Sequence, residues 1–155
     1  MNNIGLNKET ATELAEMLND LLANYQVFYT NVRGFHWNIK GDKFFELHAK
    51  FEELYDDLAL KIDEIAERIL TLGFNPEHAF SKYLDDAEIK EVEETSNGMK
   101  DVASIIDSFA IVISKQRKIL AISDEAEDEG TNSLMSDYIR EQEKLVWMYS
   151  AYLRN

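Results

Sequence analysis

Three histidines occur in the chain, and two of them, His36 and His48, lie twelve residues apart in the run RGFHWNIKGDKFFELH. A Gly41-Asp42 turn separates them. Glu52 stands one helical turn beyond His48, and Asp63 with Glu67 forms an i, i+4 carboxylate pair further along. Imidazole and carboxylate together suit Fe, Mn or Zn. There is no cysteine, so disulfides and thiolate metal sites are excluded. Di-iron sites inside a single helical bundle draw on Glu-x-x-His, and that motif is absent, because Arg33, Phe45 and Asn75 stand three residues before the histidines.

If one helix carries His48 through Glu67, roughly 100° per residue puts His48, Glu52, Ala59 and Asp63 within ~60° of each other, with Glu67 ~40° further round. They share a flank, yet His48 and Asp63 are fifteen residues apart, about 22 Å along the axis. One chain cannot bring both to one metal. Two chains can. Antiparallel pairing of this helix with its own copy, about a two-fold axis near Tyr55 and Asp56, sets His48 of one chain against Asp63 of the other and creates two equivalent sites. Small Ala59 and Ala66 allow close approach, and His36 can reach the same place across the turn. Carboxylates on a helix flank are equally what a solvated face looks like, and a histidine near a helix start is often a surface or capping residue. Spacing alone leaves both readings open.

The elements that must hold these residues are helices. One proline and six glycines in 155 residues favour long ones. Residues 6–36 place Leu14, Leu18, Leu21, Leu22, Tyr25, Phe28 and Val32 at the i, i+3, i+4, i+7 spacing of one helix face. Asn7 or Thr10 is the expected cap, Thr10 having a capping-box partner in Glu13. Asn38 to Gly41 break this helix and Asp42 is the expected N-cap of the second. Its stripe runs Phe44, Leu47, Phe51, Leu54, Leu58, Ile62, Ile65, Ile69 to a C-cap glycine, Gly73, with Pro76 just beyond. Residues 74–95 read as a polar connection with one short helix near Asp85 to Val92. A third long helix starts at Thr95 or Ser96. SDEAEDEGTN is the next break, and a fourth helix runs through Leu134, Tyr138, Leu145 and Tyr149. The middle connection, about twenty residues, is longer than a usual bundle loop. It suits a crossover, so the expected fold is all-α: one domain over 1–155, a ferritin-like four-helix bundle whose long crossover between helices two and three carries a short extra helix.

The formal net charge is −14, from 16 basic and 30 acidic residues. A field of that sign draws cations to any acidic opening, and it also simply keeps a protein soluble. No basic patch of the kind that neutralises phosphates is present. No leader or membrane-length apolar run is read. The lack of cysteine is compatible with a cytosol.

The stretch FHWNIKGDKFFELHAKFEELYDDLALKIDEIAERIL resembles the Dps proteins, the mini-ferritins of starved or oxidatively stressed bacteria. The match covers His36-Trp37, His48, Glu52, Asp63 and Glu67 at the family's spacing. The resemblance implies a cytoplasmic dodecameric shell and a ferroxidase centre between two-fold-related subunits, with His36 and His48 from one chain and Asp63 and Glu67 from the other. Glu52 stands where the family has an acidic helper. Trp37 resembles a tryptophan thought to absorb stray oxidising equivalents; packing at the helix end is the other reading. The implied reaction is oxidation of Fe²⁺, preferentially by hydrogen peroxide, with ferric mineral stored inside. Zn and Mn remain possible alternative metals for the same ligands. Asp124 and Glu129 match acidic positions of the family's three-fold pores, with Asp128 nearby, while Ser133 replaces an aspartate common in relatives. DNA binding in the family commonly uses a basic mobile tail. The ends MNNIGLNKET and SAYLRN lack one, so strong DNA binding is not expected, although a DNA-condensing shell with little ferroxidase activity is the rival reading. His78 fits no ligand pattern and is expected on the surface.

Overall fold

The computed structural model describes residues 1–154. Its helices are α1 (Lys8–Asn38), α2 (Phe44–Thr71), α3 (Phe80–Asp86), α4 (Gly98–Glu125) and α5 (Glu129–Leu153). The four long ones form the bundle, α3 belongs to the crossover, and no strand occurs among the described residues. The apolar stripes meet as their spacing requires: Leu14, Leu18, Leu21, Phe28, Phe51, Leu58, Ile65, Ile105, Phe109 and Met135 are buried in one core. Phe28 meets Phe109 edge-on, ring centroids 5.1 Å apart.

Several element ends differ from the sequence expectations. Asn7 caps α1, its side chain accepting from the amides of Glu9 and Thr10. Asp42 does not cap α2. Lys43 occupies that position with no side-chain bond, because the chain enters α2 through a turn on Gly41 (φ 106) in which the Phe44 amide bonds the Gly41 carbonyl. The third long helix starts later than Thr95 or Ser96, since Asn97 accepts from the amides of Met99 and Lys100. Its first residue, Gly98, lies so close under Leu47 that a Cβ there would collide. The acidic break shrinks to Ala126–Asp128, where Glu127 adopts φ 58.

The short crossover helix is also displaced, from the expected Asp85–Val92 to Phe80–Asp86. The cause is side-chain competition for backbone amides. Glu77 accepts from the amides of His78 and Ala79 and so starts the helix early. Asn24 on α1 accepts from the amides of Glu88 and Ile89, and Asn31 from Val92 while donating to the Lys90 carbonyl. These bonds hold residues 88–92 against α1 in a non-helical course. Asn19 does the same for the start of the crossover, donating to the Asn75 carbonyl and accepting from the Glu77 amide.

Candidate metal centre

His36 lies in the last turn of α1 and His48 in the second turn of α2. The short link between the helices lays the two rings face to face, centroids 3.8 Å apart and 15° from parallel. Each ring is tied to the other residue's backbone. His36 Nδ1 bonds the His48 carbonyl oxygen at 2.6 Å, and His48 Nδ1 bonds the His36 carbonyl oxygen at 2.7 Å. A carbonyl only accepts, so both Nδ1 atoms carry the proton. With Nδ1 protonated, a neutral imidazole has its lone pair on Nε2, the tautomer a metal ligand needs. The His36 carbonyl is one of the last four of α1, which lack helical partners; the clamp also satisfies it.

Aromatic packing fixes the pair from both sides. Phe44 stacks on His48 at 4.8 Å. Tyr55 meets His36 edge-on at 5.3 Å and Tyr29 likewise at 5.9 Å. Loss of hydration and the charges of Glu52 and Asp56 push the Tyr55 hydroxyl above its ordinary value, so it stays a neutral phenol. His36 is buried and His48 half-buried. Trp37, next in chain, is instead 63% exposed. The Arg33 guanidinium covers one ring face at 4.7 Å while sitting 5.1 Å from the Tyr29 ring, a cation–π arrangement.

Glu52, Asp63 and Glu67 are exposed on α2. Among the described residues no three His, Asp or Glu side chains gather as a metal cluster within the chain. The chain thus unites His36 with His48 and leaves Asp63 and Glu67 on the same helix but far from them. That flank is also unusually apolar for a surface. Phe45 is 85% and Leu60 67% exposed, and Leu70 is exposed as well. At roughly 100° per residue all three fall within ~40° of the Asp56 direction, among the acidic residues.

The acidic turn divides its candidates. Asp124 and Glu129 are exposed. Asp128 is turned inward, 2% exposed, which corrects its reading as a pore carboxylate. Its oxygens accept from the Thr131 amide and hydroxyl and pair with Arg68 at 2.7 Å. It caps α5 and ties that helix to the end of α2. Arg68 also donates to the Thr131 hydroxyl and lies where a side chain at Gly130 would stand. Single-sequence reasoning missed this latch; the one visible signal was an arginine in the last turn of α2 opposite an acidic turn. His78 is exposed, as expected.

The chain matches the family model described as a ferritin-like domain over residues 15–155. It is 49% identical over 148 residues to the DNA protection during starvation protein of Porphyromonas gingivalis, covering 96% of this chain and 93% of that one. A crystal structure of the Dps protein from Vibrio cholerae O1, a member of a broad superfamily of ferritin-like diiron-carboxylate proteins, superposes with a TM-score of 0.98 at 58% identity, covering 99% of this chain and 97% of that one. The Dps protein of Bacillus brevis does so with a TM-score of 0.89 at 35% identity, covering 94% and 98%. A bundle with a helical crossover, a histidine pair clamped at one end of it and these likenesses along nearly the whole length make this chain a member of the Dps family within the ferritin-like proteins.

Proposed function

We propose that the protein is an iron-storing mini-ferritin that oxidises Fe²⁺, preferentially with hydrogen peroxide, at centres shared by two-fold-related chains. One chain supplies His36 and His48, the partner supplies Asp63 and Glu67, and Glu52 assists from beside His48. The observation that carries this reading is the reciprocal histidine clamp. It turns both Nδ1 atoms to carbonyl oxygens and so leaves both Nε2 atoms for a metal, while among the described residues no third side chain completes a metal cluster with them. The apolar flank formed by Phe45, Leu60 and Leu70 supports pairing through α2, and the likeness to Dps proteins supports a closed, dodecameric shell.

The chemistry follows from the ligand set. Neutral imidazole binds Fe²⁺ without adding charge, and carboxylate favours the harder Fe³⁺. Two Fe²⁺ held together deliver two electrons to one peroxide: two Fe²⁺, one H₂O₂ and two protons give two Fe³⁺ and two waters. The O–O bond breaks with both electrons supplied at once, so no hydroxyl radical is released. Acid opposes the reaction because a protonated imidazole has no lone pair to give. Asp124 and Glu129, exposed in the α4–α5 turn, are the proposed cation entrance, and the ferric mineral is held inside the shell. Trp37, open to solvent and close to the centre, is the proposed sink for stray oxidising equivalents. Protection of DNA, which names several relatives, needs no contact with DNA on this reading: removing Fe²⁺ and peroxide together removes the source of radicals.

Co-assembly tests the shared centre. Shells of His36→Ala/His48→Ala chains and of Asp63→Ala/Glu67→Ala chains should each be inactive with an anaerobic Fe²⁺ load and a peroxide pulse. Disassembled and reassembled together, they should regain activity, because one of the two centres in every mixed pair is complete, and should consume about two Fe²⁺ per peroxide. Mixed shells that stay inactive would show that the centre lies within one chain.

A further inference from the structure

At mid-bundle the long helices place a polar layer where an apolar one would pack. Tyr25 of α1, Gln116 of α4 and Gln142 of α5 are fully buried and close a ring of hydrogen bonds. The Tyr25 hydroxyl donates to Gln116 Oε1 at 2.5 Å, Gln116 Nε2 to Gln142 Oε1 at 2.8 Å, and Gln142 Nε2 to the Tyr25 oxygen at 2.6 Å. Ferritin-like bundles that hold two metals do so at such a place, with carboxylates and histidines projecting inward from the four helices. Here three helices contribute neutral groups that satisfy one another.

The fourth helix contributes a cation. Lys61 of α2 is 4% exposed. Its ammonium lies 3.0 Å from both carboxylate oxygens of Asp57 and 2.8 Å from Glu141 Oε2 of α5. The Tyr138 ring is 5.0 Å away, and Tyr138 donates to Glu64 on the next turn of α2. Three carboxylate oxygens thus surround one positive charge, with two phenols close by, since the Tyr25 and Tyr138 ring centroids are 6.3 Å apart. The carboxylates are not sealed off. Asp57 and Glu141 border an open cavity of about 400 Å³ between α2 and α5, shared with Lys50 and Glu53. Burial alone would lower the affinity of Lys61 for its proton, but its bonds to Glu141 and Asp57 raise it above the ordinary value, so the charge stays in place.

We propose that Lys61 is a tethered cation that excludes divalent metal from the carboxylate cradle between α2 and α5, confining the iron substrate to the centre between chains. The inference rests on the ferroxidase reading above for the identity of the metal. Its chemical consequence is specific. A lone Fe²⁺ between Asp57 and Glu141 would pass only one electron to peroxide, giving Fe³⁺, hydroxide and a hydroxyl radical beside Tyr138 and Tyr25. An ammonium fills the same carboxylate cradle and has no such electron to give.

The test reads binding, not oxidation, in assembled shells whose intersubunit centre has been removed by His36→Ala, His48→Ala, Asp63→Ala and Glu67→Ala. In that background Lys61→Met should gain one Co²⁺ per chain by calorimetry, with tyrosine-sensitised Tb³⁺ emission, and Asp57→Asn should abolish the gain. Lys61→Gln, still able to donate to both carboxylates, should gain the same ion should the methionine variant not fold. Folded variants that gain no Co²⁺ would overturn the proposal. So would Co²⁺ bound by the Lys61 chain itself and lost on Asp57→Asn, a result that needs no substitution at 61. None of these outcomes bears on the ferroxidase centre, which this background lacks.

Discussion

Leu60 offers the sharpest separation between a solvated α2 flank and an interface. The side chain is 67% exposed in the isolated chain and lies on the flank that also carries Asp56, Asp63 and Glu67. Pairing of α2 with its own copy would cover it. Leu60→Ala removes three carbon groups at about 0.8 kcal/mol each when buried. Scaled by the exposed fraction that pairing would cover, this is ~1.6 kcal/mol per chain, and symmetry doubles it to ~3 kcal/mol per dimer. At about 1.4 kcal/mol per tenfold, the dimer should dissociate roughly 150-fold more readily. Sedimentation of shells dissociated to dimers, over a dilution series, measures this directly. Peroxide-driven Fe²⁺ oxidation should fall with the dimer fraction and return at high protein concentration, because dilution separates the histidines from Asp63 and Glu67 of the partner subunit. A Leu60→Ala dimer as tight as the parent would refute the α2 pairing and the shared centre with it.

Three further outcomes are expected. Asn24→Ala removes the acceptor of the buried Ile89 amide, at about 1–3 kcal/mol, and of the part-buried Glu88 amide; hydrogen exchange at those two amides should accelerate and the melting temperature should fall, whereas unchanged protection would mean that the crossover is held by other contacts. Asp101 is buried with Oδ2 unpartnered, and burial raises its pKa above 3.8 despite the bond from Thr95; the folded state therefore holds this proton more tightly than the unfolded one, and stability falls as pH rises from the ordinary carboxylate range through the raised value. Asp101→Asn should accordingly melt higher than the parent at neutral pH and match it in acid below 3.8, and a variant less stable at neutral pH would contradict the burial argument. Finally, a shell of net charge −14 per chain should give no retarded DNA band at low salt and micromolar shell; a saturable shift would show that a DNA-binding surface exists.

The order of helices was readable because leucines and phenylalanines repeat on one face of each, and the long crossover was readable from its length. Where sequence reading failed, the deciding interactions are distant in the chain. Nothing local distinguishes Asn24 from any surface asparagine, yet it fixes the backbone at Glu88 and Ile89 and so shifts α3 toward Phe80. Asp128 sits in an acidic turn that reads as a pore lining; its cap partner Thr131 is local, but the ion pair that turns it inward comes from Arg68, sixty residues away. The histidine pair was readable as residue types at a spacing. The clamp was not, since it depends on two carbonyl oxygens that neither residue's own helix advertises. Lys61 sits inside the i, i+4 charge pattern of a solvated face, and its burial depends on Glu141, eighty residues on.

The clamp and the buried lysine complement each other chemically. On the proposed reading, peroxide is safe only where two Fe²⁺ can meet it together. On that reading the clamp makes each chain half of such a place: His36 and His48 are held in the binding tautomer, but without Asp63 and Glu67 of the partner subunit they would hold iron weakly and leave it unpaired. Completion requires the partner's Asp63 and Glu67, so oxidation is coupled to assembly. Carboxylates from two helices also converge at the α2–α5 edge, Asp57 with Glu141, and there the cation is a lysine that cannot be oxidised by one electron in this manner. Both features push the chemistry in one direction, toward the chain–chain boundary and away from the buried phenols of Tyr25 and Tyr138. On the same reading, the protein without Lys61 would keep its fold's outline and the proposed centre between chains, yet it would gain a second iron position at which the two-electron rule fails.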